Sequence, residues 1–258
     1  MIWNLINLLF RLSGRIYFSN EKRDWPSALK LSKSYNDETI FNKVKKVYDN
    51  KLDIREEFYE RDGLILENKP KEADLIRFLQ ERIAKEENLE VLDFGGSLGS
   101  RFFSNYNFIQ KNKIKWNIVE QNNFAQYGKN FLQNNLLFFY NDLTKCFSEK
   151  KINCVIFSGS LQYLENYIEI LKEIKNSNIK YIFFDYVPLS YHQRHRIFVQ
   201  NISKKIYNSS YPIRIFSKNL FLDEVKNLNF NVSNLNNKKT VFYGFSYTTL
   251  VLENLDFC

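Results

Sequence analysis

From residue 89 onward, short apolar runs alternate with helical or loop-like segments, and this alternation restricts the fold most. The runs cover residues 89–94, 116–120, 136–140, 154–158 and 181–185. Uniformly apolar runs of this length are typical of strands that are buried on both faces, and their alternation with helices predicts parallel βαβ units. Two further strand-like stretches, 230–232 and 247–253, predict a closing hairpin. We therefore expect an α/β fold with a Rossmann-like sheet of parallel strands that ends in an antiparallel hairpin.

The N-terminal part of the chain has a helical pattern instead. Apolar residues recur at helical spacing within 37–48 and 71–86, and no stretch before residue 88 alternates as a strand would. The pattern predicts a helical cap over residues 1–87 and a ligand-binding catalytic domain over 88–258.

The first ten residues are apolar, but they are too few to span a bilayer. They also lack the basic start and the cleavage site of a signal peptide. We expect a cytoplasmic protein whose N-terminal helix docks on its own domain or forms a homodimer. Contact of this helix with a membrane surface remains an alternative.

Cysteine, histidine and charge content exclude several classes of protein. The three cysteines are odd in number and show no C-x-x-C spacing, and the chain has two histidines. We therefore expect neither a disulfide scaffold nor a metal site. The net charge of +8 would suit a nucleic acid, but no basic run or RNA-binding aromatic motif accompanies it. We expect no nucleic-acid partner; the charge is spread over the surface or attracts a small anionic ligand.

A glycine-rich loop directly follows the first apolar run. It reads Asp-Phe-Gly-Gly-Ser-Leu-Gly over residues 93–99 and holds three of the eight glycines. The dinucleotide fingerprint G-x-G-x-x-G requires glycine where Ser97 and Ser100 stand. The pattern of S-adenosylmethionine-dependent methyltransferases, an acidic residue followed by x-G-x-G-x-G, fits except at Ser97. Asp93 is then placed for the methionine ammonium group; the alternative is a tight turn that binds no ligand.

Acidic residues after the next two apolar runs support a cofactor site. Glu120 ends the second run, where a carboxylate commonly binds a ribose diol, and Asp142 follows the third, where an adenine amino group finds an acceptor. Each is alternatively a solvated strand end. The candidate cofactor-binding residues are Asp93, Gly95, Gly96, Ser97, Gly99, Glu120, Gln121, Asp142, Ser158 and Ser160.

Both histidines lie in the polar segment after the fifth run, beside two arginines. Either His192 or His195 suits a general base, because imidazole titrates near neutral pH. The neighbouring arginines suit a phosphate or carboxylate of the substrate. A polar surface loop without a function is the alternative. The substrate-binding candidates are Gln162, Tyr163, Arg194, Arg196 and Tyr211, the last in a basic, aromatic stretch that also fits an amphipathic helix.

Residues 91–100, 116–121 and 161–165, with Arg61 and Asp62 upstream, resemble one known family. Its members are bacterial class I S-adenosylmethionine-dependent methyltransferases associated with capsule and surface-polysaccharide gene clusters. The resemblance covers most of the chain and implies the class I fold and S-adenosylmethionine as cofactor. It does not identify the acceptor.

Our interpretation is O-methylation of a small sugar- or nucleotide-linked acceptor that carries phosphate. Two alternatives remain open. One is an inactive methyltransferase-like binding module in which Ser97 crowds the cofactor. The other is a nucleotide-dependent oxidoreductase, against which the failed dinucleotide fingerprint argues.

Overall fold

The N-terminal elements combine helices with very short strands. The computed structural model describes residues 16–33, 38–50, 57–70, 72–203, 209–241 and 244–257. In chain order the first elements are β1 (Tyr17–Phe18), α1 (Trp25–Leu29), α2 (Glu38–Asp49), β2 (Glu60–Arg61), β3 (Leu64–Ile65) and α3 (Ala73–Ile83). Helices α2 and α3 confirm the predicted helical segments. The three strands correct the prediction that no strand precedes residue 88; at two residues each, they are too short to show an alternating pattern.

The elements of the central sheet follow. They are β4 (Glu90–Phe94), α4 (Ser100–Ser104), α5 (Tyr106–Lys111), β5 (Lys115–Val119), α6 (Asn122–Tyr127), a π-helical turn (Gly128–Leu132), β6 (Leu137–Tyr140), α7 (Leu143–Glu149), β7 (Cys154–Ser158), a 3-10 turn (Leu161–Tyr163), α8 (Tyr167–Asn176), β8 (Tyr181–Ser190), β9 (Arg196–Asn201), β10 (Ser210–Ser217), α9 (Lys218–Asn227), β11 (Phe230–Val241), β12 (Phe245–Asn254) and a last 3-10 turn (Leu255–Phe257).

The order of these strands confirms the predicted fold class. Strands β6, β5, β4, β7 and β8 lie side by side and run parallel. Strand β12 then pairs antiparallel with β8, and β11 pairs antiparallel with β12. Five parallel strands closed by an antiparallel hairpin form the Rossmann-like sheet of class I methyltransferases. The carboxyl ends of the parallel strands meet at one edge, which is where such sheets bind ligands.

Three further strands, β10, β9 and β1, extend the same sheet beyond β8 and were not predicted. Strand β8 continues past the end of β7 to Ser190, where β10 joins it in parallel through two residue pairs. Strand β9 pairs antiparallel with β10, and β1 pairs antiparallel with β9. The segment after the fifth run is therefore largely strand rather than loop. Every residue of β10 is buried, so the stretch that also fitted an amphipathic helix is a strand from residue 210; residues 204–208 lie outside the described part.

The hydrophobic core has a cluster on each face of the sheet. One cluster joins Val44 of α2 and Leu79 of α3 to Phe103 and Trp116, so the cap helices share a core with the sheet. The other joins β7 and β8 to helices α7, α8 and α9. Among the described residues, no helix is long and apolar enough to cross a membrane. The apolar N-terminal segment predicted to dock or dimerise lies outside the described residues.

Replacement of Phe103 by alanine tests the junction between cap and sheet. Phe103 is 1% exposed, and its ring centroid lies 5.0 Å from that of Phe58 and 5.7 Å from that of Tyr48. We expect Phe103→Ala to lower the free energy of unfolding by about 3–5 kcal/mol in urea denaturation. Phe131→Ala is the control; that ring is 68% exposed, and we expect a loss of about 1 kcal/mol or less. Equal losses in the two variants would contradict a shared core.

Candidate active site

The loop between β4 and α4 turns through residues with positive φ. Gly95, Ser97 and Gly99 have φ values of 74°, 55° and 95°. Ser97, which stands at the middle glycine of the methyltransferase pattern, thus adopts a left-handed backbone geometry that favours glycine, at a cost of about 1 kcal/mol. The Gly95 amide donates to the Val119 carbonyl at 2.9 Å, which ties the loop to β5.

Gly96 is required because the loop closes over a buried carboxylate. A Cβ atom at Gly96 would lie 2.7 Å from Oδ2 of Asp93. Asp93 is 1% exposed, and its Oδ2 accepts a hydrogen bond from Nε1 of Trp116 at 3.2 Å. Its Oδ1 is buried without a hydrogen-bond partner among the described residues. Burial raises the pKa of Asp93 to about 6, although the nearby charge of Arg101 acts in the opposite direction.

Glu120 brings a second carboxyl group to the same edge. It is half-buried and follows β5, and its Oε2 accepts from the Gln121 amide at 2.6 Å. Burial raises the pKa of Glu120 to about 7, the Gln121 amide lowers it, and repulsion from Asp93 raises it further. Since burial and repulsion disfavour the charged form of Glu120, a ligand that brings hydrogen-bond donors and a positive charge would stabilise that form.

Asp142, after β6, caps the N-terminus of helix α7. It is exposed and forms the N-cap of α7, with Oδ1 accepting from the Lys145 amide at 2.7 Å. Gln121 immediately precedes α6 and is half-buried. Both residues lie at the predicted edge of the sheet, but one oxygen of Asp142 already has a partner within the protein.

The loop after β7 lies against the glycine loop. Oγ of Ser160 donates to the Phe94 carbonyl at 2.6 Å, and a Cβ atom at Gly95 would lie 2.8 Å from Cβ of Ser160. Gln162 is 2% exposed; its amide nitrogen donates to the Gly159 carbonyl, and its Oε1 is buried without a partner among the described residues. Ser158 is half-buried at the end of β7. The structure therefore places Ser160 against the glycine loop, and Ser158 and Gln162 lie in the same segment around the end of β7.

The remaining substrate candidates after β7 and in β10 pack against each other. The Tyr163 hydroxyl donates to Oε1 of Gln200 at 3.1 Å, and the rings of Tyr163 and Tyr211 lie edge to face at 5.0 Å. Tyr211 is 4% exposed. These contacts join the loop after β7 to the inserted strands, so both tyrosines act in packing rather than as an open stacking surface.

His195 belongs to a hydrogen-bonded network rather than to an open site. Its Nδ1 accepts from the Ser217 amide at 2.9 Å, and its Nε2 lies 3.1 Å from Oε1 of Glu224 and from the Tyr167 hydroxyl. The Tyr167 hydroxyl donates to Oε2 of Glu224 at 2.7 Å. Since both ring nitrogens have partners within the protein, we assign His195 a structural role in place of the predicted general base.

A buried arginine extends this network to the loop after β7. Arg214 is 8% exposed and donates to the carbonyls of Leu164 and Glu165 at 2.7 and 3.1 Å. Its guanidinium carbon lies 4.5 Å from the ring centroid of Tyr167. Burial lowers the pKa of Arg214. The network fixes the position of the loop that carries Gln162.

Both arginines proposed to bind an anion are instead paired with one carboxylate. Nη2 of Arg194 lies 2.9 Å from Oε1 of Glu21, and Nε of Arg196 donates to its Oε2 at 2.8 Å. His192 is exposed in the turn between β8 and β9. Within the described residues, no group of three His, Cys, Asp or Glu side chains could hold a metal ion.

An ion-pair bridge beside the site was not predicted from the sequence. Arg101, in the first turn of α4, donates to Oε1 of Glu72 at 2.7 Å and to Oδ2 of Asp185 at 3.0 Å. Burial alone would lower the pKa of Arg101, but the carboxylates of Glu72, Asp185 and Asp93 raise it. Asp185 is 2% exposed, and its Oδ1 lies 2.7 Å from Nζ of Lys238. The position of Asp185 at the end of the fifth apolar run was the only available signal.

Comparisons with known proteins give similar folds at low identity. No protein-family model and no curated protein match the chain. The 1,6-didemethyltoxoflavin-N1-methyltransferase of Burkholderia thailandensis, solved with S-adenosylhomocysteine, is 14% identical over 71% of this chain and 79% of its own, with a TM-score of 0.46. An S-adenosylmethionine-dependent methyltransferase of Clostridium acetobutylicum is 12% identical over 83% and 98%, with a TM-score of 0.49. One of Methanosarcina mazei is 10% identical over 66% and 94%, with a TM-score of 0.48. Similarity at this level carries no argument about activity.

The raised pKa of Glu120 predicts how stability depends on pH. A carboxyl group with a raised pKa in the folded state contributes stability at low pH, and this contribution is lost as pH rises through about 7. Between about pH 5 and about pH 7.5, we expect the wild type to lose about 1–2 kcal/mol more unfolding free energy than Glu120→Gln, after allowance for partial exposure. Glu87→Gln, at an exposed position, is the control in urea denaturation. Parallel pH profiles for wild type and Glu120→Gln would show that Glu120 is not perturbed.

Proposed function

We propose that the protein is a class I methyltransferase that uses S-adenosylmethionine. The observation that carries the proposal is the pair of carboxyl groups, Asp93 and Glu120, at the carboxyl edge of a class I sheet. Among the described residues, Oδ1 of Asp93 is buried without a hydrogen-bond partner, and the half-buried Glu120 accepts one hydrogen bond, from the Gln121 amide. Packing alone does not explain the Asp93 carboxyl group, since a buried acceptor without a donor is costly.

The residues present fit this cofactor. Asp93 and Oε1 of Gln162 are buried acceptors that suit the methionine ammonium group, and Glu120 suits the two hydroxyls of the ribose. Gly95 and Gly96 leave no room for a side chain, because a Cβ atom would meet Ser160 or Asp93, so glycine at both positions lets the loop close over the Asp93 carboxyl group. When bound, S-adenosylmethionine supplies an electrophilic methyl group on a sulfonium sulfur. The protein contributes alignment of the acceptor and removal of its proton.

The acceptor we propose is a small sugar- or nucleotide-linked molecule that carries phosphate and is O-methylated. The net charge of +8 supports an anionic acceptor, and the link to capsule and surface polysaccharide rests on the sequence resemblance. His192 is the remaining histidine candidate for a base or acceptor contact. A cytoplasmic location and a homodimer through the N-terminal segment belong to the same proposal.

The geometry of Ser97 bears on the rival proposal of an inactive binding module. A serine can occupy the left-handed geometry at this position, so replacement of glycine does not by itself disable the loop. A nucleotide-dependent oxidoreductase is disfavoured because Ser97 and Ser100 stand where the dinucleotide fingerprint has glycine.

Calorimetric titration with S-adenosylhomocysteine tests the proposal. We expect the wild type to bind this product and not NAD. Glu120→Ala is expected to bind it at least about tenfold more weakly, because two charge-assisted hydrogen bonds to the ribose are lost. Glu87→Ala, at an exposed position, is the matched control and should bind as the wild type does. Absence of binding to wild type, or equal affinity in a folded Glu120→Ala variant, would reject the assignment.

A further inference from the structure

An aromatic and cationic cluster lies at the carboxyl end of β8. The ring of Tyr186 has the Arg61 guanidinium carbon 5.4 Å and the Lys238 ammonium 4.7 Å from its centroid. The ring of Tyr247, in β12, lies 6.0 Å away at a steep angle. Burial raises the pKa of Tyr247, whereas the positive charge of Arg61 lowers it.

This cluster adjoins the candidate active site. Strands β7 and β8 are paired so that Ser158 lies beside Asp185, the residue before Tyr186. A Cβ atom at Gly159 would lie 3.8 Å from Cβ of Tyr186 and 3.8 Å from the amide nitrogen of Gln162. A ligand above the ends of β7 and β8 would therefore meet both the loop after β7 and the cluster.

Among the described residues, the side chain of Arg61 forms no ion pair and no hydrogen bond, unlike the side chains of the other arginines. It is exposed. The other described arginines each bond a carboxylate or a carbonyl group: Arg23, Arg77, Arg82, Arg101, Arg194, Arg196 and Arg214. Lys238 is already bound to Asp185. Between the two described cations of this cluster, Arg61 is thus the one without a carboxylate partner among the described residues.

A tight hairpin fixes the position of Arg61. Asp62 and Gly63 between β2 and β3 have φ values of 54° and 73°, as in the Asp-Gly turns of two-residue hairpins. The Gly63 amide donates to Oε1 of the buried Glu60 at 2.7 Å. A Cβ atom at Gly63 would lie 2.7 Å from Cγ of Lys43, so the turn packs closely on α2. Arg61 is therefore held on a well-fixed turn, which reduces the entropy lost on binding.

The backbone of Tyr186 is strained. Its φ of 56° is unusual for a bulky aromatic residue, and the pairing of β12 with β8 shifts register nearby, between Thr248 and Leu250. Such strain costs on the order of 1–3 kcal/mol and persists where the surrounding structure enforces it, often at ligand sites. At this strained position, the Tyr186 ring lies against two cations, Arg61 and Lys238.

We propose that Arg61, together with Tyr186 and Tyr247, binds the anionic group of the acceptor, a phosphate or a carboxylate. A guanidinium group offers parallel donors that match either anion, and each tyrosine brings a hydroxyl donor to the cluster. The identification of this ligand as the acceptor rests on the proposed methyltransferase function. The proposal moves anion recognition from Arg194 and Arg196, whose charges are paired with Glu21, to Arg61.

Titration with small anions tests the proposal. Inorganic pyrophosphate and glucuronate are titrated by calorimetry into full-length protein saturated with S-adenosylhomocysteine, with glucose as the uncharged comparison. We expect wild type to bind at least one anion and not glucose, and Arg61→Gln to bind it at least about tenfold more weakly. The two anions separate a phosphate site from a carboxylate site. Arg23→Gln, at an exposed arginine paired with Asp24, is the matched control and should bind as wild type does.

Each remaining outcome overturns the proposal. These are wild type binding neither anion, Arg61→Gln binding as wild type does, and the Arg194→Gln/Arg196→Gln double variant losing binding while Arg61→Gln retains it. Thermal unfolding verifies that each variant is folded. The S-adenosylhomocysteine titration of the same samples keeps the two hypotheses apart. If this ligand does not bind, the methyltransferase assignment fails, and the anion titration, repeated without it, still decides the role of Arg61.

Discussion

Burial of the Asp93 carboxyl group under the glycine loop is the constraint on which the site depends. A carboxyl group this deeply buried is stable only where groups around it supply hydrogen bonds or opposite charge. Trp116 supplies one hydrogen bond from the core, and Arg101 supplies the charge. Gly96 supplies the space, because any side chain there would collide with the carboxylate. Together they leave one buried oxygen without a partner, which a ligand can satisfy.

Arg101 connects this constraint to the rest of the fold. It bridges Glu72, immediately before α3, and Asp185, at the end of the strictly parallel part of the sheet. The cap, the glycine loop and the edge strand thus converge on one guanidinium group. A network in which every charge has a partner holds the site rigid, and rigidity of this kind is what ligand alignment requires. Arg61, just outside the network, has no carboxylate partner among the described residues, and this is why we propose it as the contact for an anion.

The parallel sheet was predictable because its strands are mostly apolar and separated by helical patterns. Strand β10 was not, since Ser210, Pro212 and Arg214 interrupt its apolar pattern although they are buried, and β1 exists only through pairing with β9. The glycine loop and Glu120 were predicted as cofactor contacts from their spacing along the chain. Ion pairs between residues that are far apart in the chain could not be predicted from the sequence. Glu21 lies 175 positions before Arg196, and the residue type alone suggested that this arginine is free to bind an anion.

His195 and Asp142 were predicted as site residues from their chemistry and from their positions after apolar runs. The structure shows that the ring nitrogens of His195 and one oxygen of Asp142 are occupied by local partners. Such local competition depends on backbone amides whose positions follow from the fold. Arg61 was not predicted as a ligand contact, because only the structure shows the two features that distinguish it. Its side chain has no carboxylate partner among the described residues, and the β2–β3 hairpin brings it beside β8.

The most direct test of the account is calorimetric titration of Asp93→Asn with S-adenosylhomocysteine. The substitution preserves shape and removes the negative charge whose burial raises the pKa of Asp93, so the variant should be as stable as wild type or more so. The account predicts that its affinity for the ligand falls at least about tenfold, because the charged partner of the methionine ammonium group is lost. Unchanged affinity in a folded Asp93→Asn protein would contradict the central claim that the buried Asp93 carboxylate holds the cofactor.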